Sequence, residues 1–259
     1  MRFPFSMILL AAGLAVACVA WAVPVGRRVE TAGAAYRVVE IDLGRDALEI
    51  VWKDDAGKAF ETIDRLREWG EKRQRRLLFA TNAGIYDREY RPLGLTIADG
   101  EVLRPLNTAR GGGKGNFGMQ PNGVFYVDTQ GRAGVVPTRE WRERGIDARL
   151  ATQSGPMLLV DGAINPAFIE NSDSRKWRSG VCAPDPGQVV FAVSEVPVTF
   201  HAFARLFRDA LGCRDALYLD GTLSRIYTAQ EGYAGAPPVM VKPYAAMFAV
   251  FGESAAAER

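Results

Sequence analysis

Residues 216–221 read Ala216-Leu217-Tyr218-Leu219-Asp220-Gly221, four apolar residues running straight into a turn pair. A run this short is too brief for a helix and, closed by Asp-Gly, reads as a buried strand. The arrangement recurs in Leu93–Ala98 before Asp99-Gly100, Gly123–Val127 before Asp128, and Pro156–Val160 before Asp161-Gly162. Aspartate and glycine suit tight reversals, so each is expected to close a hairpin. Working outward, Tyr36–Leu43 and Ala47–Trp52 alternate as two strands around Gly44-Arg45-Asp46, and Leu77–Thr81, Val189–Val193 and Met247–Phe251 add further strands. Helical spacing is confined to two substantial stretches. Phe60, Ile63, Leu66 and Trp69 predict an amphipathic helix over 60–76. Thr199 caps a second, whose apolar face is Phe200, Phe203, Leu206, Phe207, Ala210 and Leu211, closed by Gly212. Strands dominate and do not alternate regularly with helices. The fold class is therefore α+β: one domain over 30–251, a strand-rich mixed sheet core with a few flanking helices, and a frayed polar tail at 252–259.

The chain has 259 residues, 48% hydrophobic and 24% charged, the balance of a globular protein with a real core. Its 32 basic and 30 acidic residues are too even for a nucleic-acid footprint, so no nucleic-acid partner is expected. A single histidine, His201, excludes two-histidine metal sites and leaves one candidate base for any Ser–His–Asp triad. Three cysteines cannot build a four-cysteine zinc site. No cofactor or metal is expected; carboxylates, arginines and backbone amides must carry any chemistry.

Residues 1–22 read as a signal peptide. Arg2 is the only charge before Arg27, Met7 to Val23 is an unbroken run without polar side chains, and Ala20-Trp21-Ala22 places small residues at a cleavage site. This implies a periplasmic or secreted protein with no stable membrane contact after cleavage. The 17-residue run is at the short end of a bilayer span, so a retained anchor is the alternative, and Cys18 allows a lipoprotein reading. In an oxidising compartment the two remaining cysteines, Cys182 and Cys213, either form a disulfide or stay as buried thiols.

Four segments carry more polar and glycine residues than a hairpin needs. They are 81–87, with Asn82-Ala83-Gly84-Ile85-Tyr86-Asp87; Gln153-Ser154-Gly155-Pro156; 171–180, with Arg175-Lys176-Trp177-Arg178-Ser179-Gly180; and Leu219-Asp220-Gly221-Thr222-Leu223-Ser224. Each lies at or beside a strand end, where a sheet presents loops to a common cleft. In this order they resemble the phosphodiester glycosidase family, and the bacterial branch in particular, because Thr222-Leu223 stand where the animal pattern has glycines. The resemblance spans about residues 75–251. It implies a hydrolase that releases a sugar from a phosphodiester, with the substrate a small molecule or glycan carrying that linkage.

The chemistry can be argued beside the resemblance. A phosphate monoester, whose second ionisation lies near pH ~6, leaves far more easily than an alcohol. Less general-acid help is needed than in ordinary glycosidases. What is needed is a cationic clamp and one carboxylate. Arg178 and Arg175 are candidates for the clamp. Asp220 is the candidate carboxylate, with Asp87 second, either as a base or as a turn cap. Asn82, Gln153 and Ser154 suit sugar hydroxyls, and Gly84, Gly155, Gly221 and Ser224 complete the proposed substrate-binding set. Two other classes fit the same residues. One is a P–O-cleaving phosphodiesterase with Asp87, Asp173 and Asp220 around Mg²⁺ or Ca²⁺. The other is a non-catalytic envelope glycan-binding protein.

Gly111-Gly112-Gly113-Lys114-Gly115-Asn116-Phe117-Gly118 lacks the ending of a phosphate loop and reads as a loop over the cleft. His201 is expected to be structural, and Trp141-Arg142-Glu143-Arg144 to be a solvated helical turn. Tyr86, Trp177 and Tyr227 either stack on a sugar ring or belong to the core. The leader reading predicts that protein recovered from the native host begins near Val23; an intact mass that retains Met1 would favour an anchor instead.

Overall fold

The structure is a computed structural model that describes residues 23–109, 115–221, 224–240 and 243–253. The leader, Gly111–Lys114, Thr222-Leu223 and the extreme tail lie outside the described residues. The chain opens with β1 (Gly26–Thr31), β2 (Ala34–Asp42), β3 (Leu48–Val51), α1 (Ile63–Glu71), β4 (Arg75–Asn82), β5 (Thr96–Ala98) and β6 (Glu101–Arg104). It continues through β7 (Gly123–Asp128), β8 (Ala133–Pro137), α2 (Thr138–Arg144), β9 (Ala148–Ser154), β10 (Met157–Val160) and β11 (Ala163–Ile164). It closes with β12 (Ser179–Asp185), β13 (Gln188–Ser194), α3 (Phe200–Arg205), β14 (Ala216–Asp220), β15 (Arg225–Thr228), β16 (Gly232–Gly235) and β17 (Met247–Glu253).

These strands form three sheets, ordered β1-β2-β13-β12-β14-β10-β11, β16-β15-β4-β17-β3 and β6-β5-β9-β7-β8. Every pairing among the named strands is antiparallel. The expected mixed sheet is thus corrected to three antiparallel ones, and the architecture is mostly β. The inner faces of all three sheets meet in one core, where Phe79, Phe125, Phe191 and Phe248 pack ring against ring at 4.9–6.3 Å. Each outer face carries its own apolar cluster under one helix. Phe203 and the following turn, Leu206–Ala210, cover the first sheet; Leu66 of α1 covers the second; Trp141 of α2 lies on the third. A strand covered on both faces has no solvent side, so β13 and β14 read as continuous apolar runs, not alternations.

The turn signals divide into two kinds. Asp99-Gly100 and Asp161-Gly162 close the β5–β6 and β10–β11 hairpins, each with both residues at positive φ. Asp128 closes the β7–β8 hairpin. Asp220-Gly221 does not close a hairpin: β14 belongs to the first sheet and β15 to the second, so the chain changes sheets there. The strands at 36–52 also part company, β2 joining the first sheet and β3 the second. The predicted helix 60–76 is shorter, Ile63–Glu71, because β4 begins at Arg75. Its Thr62 Oγ1 accepts from the Arg65 N–H at 3.1 Å, and Thr199 Oγ1 likewise accepts from Ala202 at the start of α3.

Cys182 of β12 and Cys213 are joined as a disulfide, with Cα atoms 6.2 Å apart and both residues buried. It ties the first sheet to the segment that follows α3. A bridge closing a loop of this length is worth about 3–4 kcal/mol in the chain-entropy model. The Cys182→Ala/Cys213→Ala variant should lose that much unfolding free energy in denaturant titration; a loss under about 1 kcal/mol would assign the bridge no stabilising role.

Candidate active site

Strand ends from all three sheets converge at one end of the molecule: Asn82 closes β4, Ser154 closes β9, Ser179 opens β12, Asp220 closes β14 and Arg225 opens β15. Ser179 pairs in register with Asp220 across β12 and β14. The Ser179 hydroxyl donates to Asn82 Oδ1 at 2.9 Å, joining the first sheet to the second. Ser224 Oγ lies 2.8 Å from the Asp220 carbonyl and 2.6 Å from that of Gly221, and so holds the sheet-changing turn closed. The Gly221 N–H donates to Asp220 Oδ1. Asp220 is thus half-buried at the end of β14, with its carbonyl held by Ser179 and Ser224.

Three tyrosines feel the charge of that carboxylate. The phenols of Tyr86, Tyr218 and Tyr244 are all pushed up from their ordinary value, first by burial, with the charge of Asp220 adding to it. All three are neutral donors at physiological pH. On the second sheet Ile226 pairs with Thr81, which sets Arg225 opposite Asn82. The Arg225 guanidinium lies 4.1 Å over the Tyr233 ring. Its Nε and the Nδ2 of Asn82 are both buried, with no hydrogen-bond partner among the described residues. A buried donor left unmade costs about 1–3 kcal/mol, so these two are candidates for an acceptor from outside the protein.

The remaining sequence candidates fall in different places. Arg178 is 1% exposed. Its Nε donates to the Val198 carbonyl at 2.9 Å and its Nη2 to the Ser174 carbonyl at 3.2 Å, and the guanidinium lies 3.6 Å over the Phe200 ring. Burial lowers its pKa, offset in part by Tyr218. Its fork is spent on carbonyls beneath the site, so it does not stand in the cleft as a clamp. Arg175 is exposed on the loop before β12. Ser154 is fully buried, its hydroxyl 3.3 Å from the Leu219 carbonyl. Gln153 points the other way from β9. Its Oε1 accepts from Leu95 and Asn107, and its Nε2 donates to the Asn107 carbonyl and Thr138, so it braces a loop and has nothing left for a sugar. It borders a cleft of about 650 Å³ that also holds Asn122 and Arg142, while Asp220 is not among the lining residues. Gly84, at φ +129°, and Gly155 are needed for close approach: a Cβ on Gly155 would meet Asn122 Oδ1 at 1.9 Å.

Asp87 is a turn residue. Its Oδ1 accepts from the N–H groups of Glu89 and Arg91, and its Oδ2 from Arg91 Nε at 2.9 Å. Partial burial alone would raise its pKa, but these hydrogen bonds outweigh it and the net direction is down. Asp173 is exposed, and no group of three metal-ligating side chains assembles among the described residues, so Asp87, Asp173 and Asp220 do not come together. Tyr227 is core beneath α1, and His201 lies half-buried on α3. Arg225, Ser179, Tyr218 and Tyr244 are what the candidate list lacks. Arg225 directly follows the last motif and was legible as the first basic residue after Asp220; the tyrosines look like any core residue.

A sequence model of the family described as phosphodiester glycosidase matches residues 75–249. The chain is 36% identical over 205 residues to the uncharacterized protein YigE of Escherichia coli (strain K12), covering 79% of this chain and 77% of that protein. Among solved structures, the catalytic domain of zebrafish N-acetylglucosamine-1-phosphodiester alpha-N-acetylglucosaminidase, auto-inhibited by its pro-peptide, superimposes with a TM-score of 0.59 at 15% identity, covering 87% of this chain and 81% of that one. A hypothetical protein from Synechocystis gives a TM-score of 0.58 at 13% identity, covering 87% and 61%. At these identities the two structures establish a shared fold.

The Asp87 geometry has a testable consequence. A carboxyl depressed by folding stabilises the protein above its unfolded value, near ~4, and that contribution fades as pH falls through the lower folded value. The stability gap between the parent protein and Asp87→Asn should therefore be present at pH 7 and close on acidification, with kcat/KM at neutral pH within about threefold. A loss of ~100-fold would return Asp87 to the mechanism as a base.

Proposed function

Because this chain belongs to the phosphodiester glycosidase family, we propose that it hydrolyses the glycosidic bond of a sugar-1-phosphodiester, that it does so after export, on envelope glycans, and that Asp220 is the working carboxylate. The observation that carries this reading is the gathering of one half-buried carboxylate at a strand end with two buried donors that lack acceptors among the described residues. A sugar-1-phosphodiester presents an anomeric carbon that gains positive charge, next to a phosphate that gains negative charge. Asp220 meets the first demand, and Arg225 and Asn82 meet the second.

The steps follow from that placement. Arg225 draws the phosphate oxygens, its charge already partly desolvated against Tyr233. Asn82, held by Ser179, donates from Nδ2 to a phosphate or sugar oxygen. As the C1–O bond stretches, the electron pair moves onto the phosphate, whose low second pKa lets it leave without a strong acid. Asp220 steadies the oxocarbenium-like sugar or takes the proton of the attacking water. The neutral phenols of Tyr86, Tyr218 and Tyr244 keep the surroundings dry without competing charge. Asp87 is bound to Arg91, so the reading needs only one carboxylate. Arg178 shapes the floor under Tyr218.

The test is cleavage of synthetic sugar-1-phosphodiesters in oxygen-18 water. Label in the released sugar is expected; label in the phosphate would replace this reading with P–O cleavage. Asp220→Asn should melt within a few degrees of the parent protein and lose at least ~100-fold in turnover. Arg225→Lys keeps the charge but loses the planar fork, and should lose about tenfold.

A further inference from the structure

Arg225 and Tyr227 stand two residues apart on β15 and so project to one face, and β16 sets Gly235 opposite the first and Tyr233 opposite the second. Gly235 has no side chain and admits none, since a Cβ there would run into the Ser224 carbonyl. The space across from Arg225 is therefore open. Its guanidinium leans along the diagonal instead and lies 4.1 Å over the Tyr233 ring. On the other side of β15, Ile226 pairs with Thr81, and the Thr81 hydroxyl donates to the Arg225 carbonyl at 2.9 Å. The backbone of Arg225 is thus fixed to β4 next to Asn82, while its side chain rests on β16.

Tyr233 is itself held from a helix. Its phenol donates to Asp64 Oδ1 at 2.8 Å, and the same oxygen lies 3.2 Å from Arg67, three residues along α1. The Tyr227 ring backs that of Tyr233 at 5.3 Å, and Arg67 lies 5.8 Å over Tyr227. Two arginines thus flank two tyrosines. Asp64 answers Arg67 and the phenol, whereas Arg225 Nε is buried with no partner among the described residues. Asp64 is exposed and Tyr233 only half-buried, and one exposed hydrogen bond adds little to stability. What the bond does fix is the plane of the ring on which the Arg225 guanidinium lies.

We propose that Tyr233, tethered by Asp64, is the positioning residue for Arg225: its ring is a shelf that holds the guanidinium in one orientation, so that the planar fork is presented ready to bind a phosphate. This rests on the reading given above in taking that anion to be the substrate's phosphate. A free arginine side chain samples many rotamers and loses them when it binds. A shelf that orders it beforehand removes that cost from the binding step. Tyr233 acts through Arg225 and Asp64 acts through Tyr233, so the effect of each depends on the residue after it.

The experiment titrates the protein with inorganic phosphate at pH 7, followed by phosphorus NMR, for the parent and for Tyr233→Leu, Tyr233→Phe and Asp64→Ala, each with Arg225 intact and with Arg225→Gln. Arg225→Gln should weaken phosphate binding at least tenfold, and Tyr233→Leu about tenfold. Tyr233→Phe keeps the ring but loses the tether, and should weaken binding about threefold. Asp64→Ala, a change on the exposed face of a helix, should match it, and the two together should be no worse than either alone. Added to Arg225→Gln, Tyr233→Leu should change affinity by less than about twofold. Parent-like affinity in Tyr233→Leu overturns the proposal. So does a full further loss in the Arg225→Gln background, because the ring would then act through the fold and not through Arg225. Should Tyr233→Leu fail to fold, Tyr233→Phe and Asp64→Ala decide, and unchanged affinity in both overturns the proposal. No binding of phosphate to the parent overturns it as well. Failure of the parent to cleave any sugar-1-phosphodiester removes the glycosidase reading, while phosphate affinity still decides the role of Tyr233.

Discussion

The Ser179–Asn82 hydrogen bond, at 2.9 Å, is buried and runs between sheets. Backbone ladders fix strands within a sheet, but nothing in a ladder sets how far apart two sheets stand at their ends. Here a serine at the start of β12 grips an asparagine at the end of β4, and Asp220 sits beside that serine in register. The positions of the carboxylate and of the Asn82 donor are therefore one geometric fact. Because Asn82 spends its oxygen on Ser179, its nitrogen is left buried without a partner among the described residues. Loss of the serine hydroxyl would free the amide to rotate and leave a buried carbonyl unmade.

Beneath this runs a polar layer that the apolar core tolerates because nearly every group is answered. Ser154 points at the Leu219 carbonyl, Thr152 donates to the Ala83 carbonyl, and Arg178 feeds two carbonyls from a stack on Phe200. Arg178 has no ion pair among the described residues, so its charge rests on carbonyl dipoles and aromatic faces. Such an arrangement holds the segment before β12 in one place, and with it Ser179.

Much of the strand content could be read directly, because doubly covered strands announce themselves as apolar runs ended by turn residues. Asp99-Gly100 and Asp161-Gly162 became the hairpins that their dihedral preferences require. Asp220-Gly221 looks the same in sequence and does something else. A dipeptide encodes its own φ and ψ, not the partner of the strand that follows. The same limit explains the arginines. Arg178 and Arg225 both flank motifs, but which of them is buried on carbonyls and which stands opposite Asn82 is decided by sheet pairing 40 or more residues away in the chain. Asp87 could be a base or a cap on sequence alone, and its answer lies four residues on, in Arg91. The antiparallel sense was legible only where a turn pair closes a hairpin; between strands distant in sequence it was not, since strands buried on both faces lose the alternation that distinguishes them.

The site gathers Asn82, Ser154, Ser179, Asp220 and Arg225 from strands spread across most of the described chain. No contiguous fragment holds more than a part of it, and every pairing that assembles it is long-range. Such topologies fold slowly, in milliseconds to seconds, because loop-closure entropy is spent before distant contacts form. The candidate site is therefore completed late in the folding of each molecule. Until β15 closes against β4 the site is incomplete, and the chain passes through its early folding as an inert polypeptide.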